Sequence, residues 1–289
     1  MRIEIKNRIV TPQPVDYGAV RSLSAALQGR YSQLRWLPLG HSVQGRDISA
    51  LVLSTGGCDQ RVLMAATFHG PEWLTALCTL RLCEELCVAL QGDLPLCGIS
   101  ISRALQGRQI WFVPLVNPDG LEMARYGSPA PKLGRWNAHG VDINSNFNAG
   151  WEEMQALTEK NDKKSCAYLG PSPESEPETR ALTDLCRRYA FRHVVALHSQ
   201  GEEIYWSYGE DTPPQSWLMA QILGEVSGYR VTDPSSEAAH GGFKDWFIRC
   251  YHRPGFTFEL GRGENPLPLA QFEEIYEKAR EMLVLSVLL

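Results

Sequence analysis

Apolar residues along the chain fall into short runs that polar turns separate. "RDISALVLST" (46–55) predicts a strand, and "RVLMAATFHG" (61–70) a second, more fully buried one. From Glu72 to about Leu90, "EWLTALCTLRLCEELCVAL" predicts an amphipathic helix. "RQIWFVPLVNPDG" (108–120) predicts another strand, closing in the turn signal Asn117-Pro118-Asp119-Gly120. Further helices are predicted over 175–190, 215–226 and about 269–288, with strands at "HVVALHS" (193–199) and "GFTFEL" (255–260). Two polar, Gly- and Pro-rich stretches, about 128–150 and 159–175, predict long loops, a length that usually marks function or disorder. Strands alternating with helices predict an α/β domain with a largely parallel sheet. No repeat or linker divides it, so one domain over 1–289 is expected, with 1–40 as an N-terminal extension packed on it.

At 289 residues and 44% hydrophobic, the chain can bury a sizeable core. A net charge of −5 leaves no electrostatic footprint for nucleic acid or an anionic membrane. No run approaches the roughly 18 apolar residues of a membrane span, and "MRIEIKNRIVTPQ" has neither the apolar core nor the cleavage site of a secretory signal. A cytoplasmic location is the expectation. The eight cysteines include no Cys-x-x-Cys unit of a zinc knot and are read as small thiols in a reducing compartment. None is assigned to a site.

In open α/β sheets, ligands bind at the carboxyl ends of strands. His69 follows "LMAATF", His198 follows "VVAL" and Glu259 closes "FTFE". Two imidazoles and a carboxylate, His69, His198 and Glu72, make a three-ligand set for a catalytic zinc with one position left open. The His-x-x-Glu spacing alone suits equally a hydrogen-bonded histidine at a sheet edge and a helix-start carboxylate favoured by the dipole.

"VPLVNPDG", "RWNAHGVDINSNFNAGW", "ALHSQGEEIYW", "GGFKDWF" and "GFTFELGRG", in this order, resemble the motif series of zinc carboxypeptidases of the carboxypeptidase A type. The resemblance implies a three-layer α/β/α fold with a mixed, mostly eight-stranded sheet around one zinc ion. It implies His69, Glu72 and His198 as ligands and Glu259 as general base. Asp142 becomes the carboxylate orienting His69, and Arg135 the stabiliser of the oxyanion, with Arg125 as the alternative.

Two departures bear on the substrate. Where the classical family has Asn-Arg-Asn-Phe, this chain reads "NSNF": Asn144 remains but Ser145 stands at the arginine, and a serine cannot clamp a terminal carboxylate. The tyrosine expected ahead of "GGFKDW" is also missing, with Glu237 near its place. Lys244 and Arg262 supply cations in matched motifs, and Tyr205, Trp206 and Tyr208 are candidates to line the cleft. "SQGEEIYW", "GGFKDWFI" and "ELGRGENPLP" most resemble one branch, the γ-D-glutamyl-L-diamino-acid endopeptidases. That implies hydrolysis of the γ-D-glutamyl to meso-diaminopimelate amide in peptidoglycan stem peptides, in the cytoplasm or in a spore or mother cell. A zinc carboxypeptidase or amidase for another acidic or γ-glutamyl peptide is the alternative. A zinc-dependent muropeptide binder is the reading from another class, and Glu259, a base that a pure binder does not need, speaks against it.

Overall fold

The structure, a computed structural model, describes residues 5–127, 134–157, 168–233 and 241–289. In chain order its elements are α1 (Tyr17–Arg30), β1 (Leu34–His41), β2 (Asp47–Ser54), β3 (Gln60–Ala66), α2 (Leu74–Gly92), the short hairpin β4 (Pro95–Leu96) and β5 (Ile99–Ser100), α3 (Ile101–Ala104) and β6 (Arg108–Val113). These are followed by α4 (Pro118–Tyr126), α5 (Trp151–Leu157), α6 (Pro177–Arg188), β7 (His193–His198), β8 (Glu203–Tyr205), α7 (Gln215–Ser227), β9 (Arg230–Thr232), α8 (Phe243–Tyr251), β10 (Gly255–Glu259) and α9 (Phe272–Ser286).

Eight strands form one mixed sheet in the order β1-β2-β6-β3-β7-β10-β8-β9. The central strands β6, β3, β7 and β10 run parallel, whereas β1 with β2, β2 with β6 and β8 with β10 pair antiparallel, and β9 runs parallel to β8. Strand alternation splits the core into two layers. Val62, Met64, Val195 and Leu197 face one cluster, which α1, α2, α7 and α9 complete. Leu63, Ala65, Val194 and Ala196 face the other, covered by α6 and α8. Burial on both faces is why these strands read as unbroken apolar runs. The result is the three-layer α/β/α arrangement.

Some boundaries differ from the sequence reading. Asn117-Pro118-Asp119-Gly120 does not turn the chain back. Asn117 Oδ1 accepts from Gly120 N at 2.8 Å and Pro118 is the first residue of α4, so the same residues cap and start a helix. Within segment 1–40, α1 lies against α2, and β1 is the edge strand of the sheet. Ile9 N and Val10 N donate to the buried Glu84 of α2 at 2.7 and 3.0 Å. No helix among the described residues is long and apolar enough to cross a membrane.

Candidate active site

The carboxyl ends of the adjacent parallel strands β3, β7 and β10 converge on one pocket of about 480 Å³. His69 lies three residues beyond β3, His198 ends β7 and Glu259 ends β10, paired in register with His198. The chain breaks out of β3 at Thr67, which sits at φ +57, an uncommon conformation for a β-branched residue. Thr75 of α2 holds it there, its hydroxyl accepting from Thr67 N at 3.0 Å. Gly70 then passes α4 so closely that a Cβ would lie 2.1 Å from Gly120 O. Only glycine fits, and the tight passage delivers Glu72 back toward His69 at the head of α2.

His69 Nδ1 lies 2.7 Å from Glu72 Oε1, and His198 Nδ1 lies 2.9 Å from Glu72 Oε2. All three side chains are buried, with one ligand atom from each within 4.8 Å of the others. His69 Nε2 is 3.1 Å from Asp142 Oδ1, and the Phe68 ring stacks on His198 at 4.9 Å. Two imidazole nitrogens of one kind face the two oxygens of one buried carboxylate, while an outer carboxylate fixes the second nitrogen of His69. That donor set fits a zinc ion.

Electrostatics follow from burial and from neighbours. Burial opposes charge on His69, but the Glu72 and Asp142 carboxylates outweigh it and raise its pKa to about 9. Burial also opposes ionisation of Asp142, yet His69 and Arg135 bring it down to about 2. Against the same burial, His69 and His198 hold Glu72 well below the usual carboxylate range. Glu259 faces the reverse balance: burial, and after it the charge of Glu72, push it up to about 8.

The remaining candidates divide into those the fold brings to the pocket and those it does not. Arg135 lines it, with Nε donating to Asp142 Oδ2 at 3.0 Å. Arg125 does not, lying instead over the Trp73 ring. Asn144, Ser145 and Tyr205 line the pocket, and the Tyr205 hydroxyl is bound to Glu203. Lys244 is a buried wall residue in the first turn of α8, where the helix dipole disfavours a cation. Its ammonium is offset by Asp245 and by Ser207 O, the latter at 2.6 Å. Arg262 stands outside, largely exposed and paired with Glu202 at 2.6 Å. Trp206 packs on Trp217 and lines a separate hollow, and Tyr208 packs against the α6–α8 side of the core. Glu237 lies outside the described residues.

Sequence reading missed Thr257 and Asn265 as lining residues. Thr257 is two residues before Glu259 on the same face of β10, so strand alternation alone signals it. Asn265, joined to Ser199 by two side-chain hydrogen bonds, carried no signal beyond a turn-forming Asn-Pro.

Comparison with known proteins agrees with this geometry. The Zinc carboxypeptidase family model matches residues 20–282. Gamma-D-glutamyl-L-diamino acid endopeptidase 1 of Lysinibacillus sphaericus is 34% identical over 284 residues, covering 92% of this chain and 70% of its own. Carboxypeptidase A2 of Rattus norvegicus is 27% identical over 241 residues, covering 77% of this chain and 56% of its own. Bovine thrombin-activatable fibrinolysis inhibitor, solved with a tick carboxypeptidase inhibitor, shares the fold at a TM-score of 0.74 and 20% identity over 96% of either chain. A family match over most of the chain and a buried His-Glu-His cluster at the carboxyl ends of the central strands lead to one assignment: the chain belongs to the zinc carboxypeptidase family.

Proposed function

We propose that this chain hydrolyses the amide between the γ-carboxyl of D-glutamate and meso-diaminopimelate in peptidoglycan stem peptides. One observation carries the reading beyond peptidase in general: Ser145 and Lys244 both line the pocket. A hydroxyl stands where the classical family has its carboxylate clamp, and an ammonium is built into the wall instead. Carboxylates flank this scissile bond on both sides, so a relocated cation suits it. The relative from Lysinibacillus, named for such a bond, supports the same reading.

A zinc ion held by His69, Glu72 and His198 would supply Lewis acidity, polarising the scissile carbonyl and lowering the proton affinity of water. Glu259, across the pocket, takes the proton of the attacking water and returns it to the departing amine of diaminopimelate. Glu259 must be a carboxylate to accept that proton, and the charges of His69 and Arg135, acting against its burial, favour that form. Arg135 is tethered through Nε alone, and its two Nη groups have no partner among the described residues. They are the donors available to a developing oxyanion. Lys244 serves the diaminopimelate or glutamate carboxylate.

The test is incubation of zinc-loaded protein with L-Ala-γ-D-Glu-meso-diaminopimelate, with products identified by mass spectrometry. Release of L-Ala-D-Glu and free diaminopimelate is expected. An uncut tripeptide, alongside trimming of a peptide ending in γ-linked glutamate, would replace this reading with a carboxypeptidase or amidase.

A further inference from the structure

Arg135 and Asp142 both sit on a stretch with little regular structure, Gly134 to Asn146. At its centre is Asn137, wholly buried at 0% exposure. Asn137 N donates to Val141 O at 2.9 Å, and its carbonyl accepts from Gly140 N at 3.0 Å. Its side-chain Oδ1 accepts from His139 N and Val141 N, both at 3.1 Å. Four hydrogen bonds thus close residues 137–141 on one side chain and its own backbone. The closed turn brings Arg135 Nε to 3.0 Å from Asp142 Oδ2, and Asp142 Oδ1 to 3.1 Å from His69 Nε2.

The outer half of the same amide is anchored. Asn137 Nδ2 donates to Glu176 Oε2 at 2.7 Å and to Glu178 Oε2 at 3.0 Å, two buried carboxylates at the start of α6. Glu178 also accepts from Val43 N at 3.1 Å, and Glu176 N donates to Asn146 Oδ1 at 3.1 Å. Asparagine alone suits this position. It offers two donors outward and a double acceptor inward, where aspartate would set a third carboxylate against two buried ones.

We propose that Asn137 is a positioning residue of the active site. Anchored on Glu176 and Glu178, it sets the turn that holds Asp142 against His69 and Arg135 at the pocket. It touches neither metal nor substrate. The inference rests on the zinc-peptidase reading but not on which peptide is cut.

The test measures zinc affinity by chelator competition, kcat and KM of the zinc-loaded protein, and urea unfolding of the zinc-free protein. Asn137→Asp is expected to weaken zinc affinity and lower kcat by about tenfold each, the lower end of what an outer partner of a metal ligand costs, with KM little changed. Adding Glu176→Gln to Asn137→Asp returns an amide donor to the contact and should recover most of both losses, which a general weakening of the fold would not do. Should Asn137→Asp fail to fold, Asn137→Ser, which keeps an inward acceptor and loses the outward donors, should show the same two losses. Zinc binding by the unaltered chain, together with unaltered affinity and kcat in the variant, overturns the role of Asn137 alone. So does a loss that follows the folded fraction and is not rescued. Failure of the unaltered chain to bind zinc overturns the metal reading, and this inference with it.

Discussion

Glu259 and His69 carry opposite electrostatic burdens within one pocket. Glu259 is pushed up to about 8 by burial and Glu72, so its carboxylate is a strong base for a group of its kind. Glu259→Gln keeps the shape and removes the base. It should lower kcat by about 10²- to 10⁴-fold while leaving zinc bound; unchanged turnover would end the hydrolase mechanism. His69 is raised from 6.5 to about 9, burial being outweighed by Glu72 and Asp142. Because its folded value is raised, its charged contacts stabilise the zinc-free protein fully below about pH 6.5, and that contribution is lost as pH rises through about 9. Zinc must displace that proton. Apparent zinc affinity should therefore climb with pH between about 6.5 and 9, by about tenfold per unit for one proton released, and level off above. A flat profile in chelator competition across that window would refute the assignment of His69 as a ligand. These residues were legible because each polar group closes an apolar run. Asn137, equally constrained, is given no role by the sequence, because its partners Glu176 and Glu178 are 39 and 41 residues away.

At the level of elements, β2, β3, β6, β7, β10 and the helices α2, α6, α7 and α9 follow from pattern, whereas α1, β1 and the pieces that turn the chain do not. β7 and β10 were readable as apolar runs, whereas β8 and β9, at three residues each, carry too few positions for a period. α4 was hidden because Asn-Pro-Asp-Gly describes a turn and a helix start equally well until tertiary contacts choose. Arg262 illustrates the same gap. It follows the base by three residues, but Gly261 and Gly263 at φ +72 and +125 turn the backbone there, and Arg262 ends on Glu202. Lys244 is the opposite case, held in the pocket wall by the first turn of α8. With Lys244 on a substrate carboxylate, as proposed above, replacing it by methionine should remove a charged hydrogen bond, a loss of about 1.5–3 kcal/mol. In kcat/KM that is roughly 10- to 150-fold. The drop should appear with the diaminopimelate tripeptide and shrink with an analogue lacking that carboxylate. An equal drop with both would assign Lys244 to packing with Asp245 and Ser207 rather than to recognition.

Across the whole molecule, the site is a product of sheet order. His69, His198 and Glu259 are far apart in sequence, yet they leave β3, β7 and β10, which are neighbours running the same way. Glu72 arrives from the short turn between β3 and α2, and Asp142 from the loop that Asn137 closes. A metal ion at their junction would bind the folded chain and not the separated segments, so its affinity adds to folding stability. At free zinc a thousandfold above its dissociation constant, the gain is about 4 kcal/mol. For a chain of this size that corresponds to a melting shift on the order of 10 °C. Stripping zinc with a chelator should lower the melting temperature by that order, and readdition should restore it. His69→Ala should melt at one temperature with or without chelator, since the ligand that closes the set is gone. A chelator-sensitive shift retained in His69→Ala would place the stabilising ion elsewhere, and the junction of the three strands would lose its claim to be the metal centre.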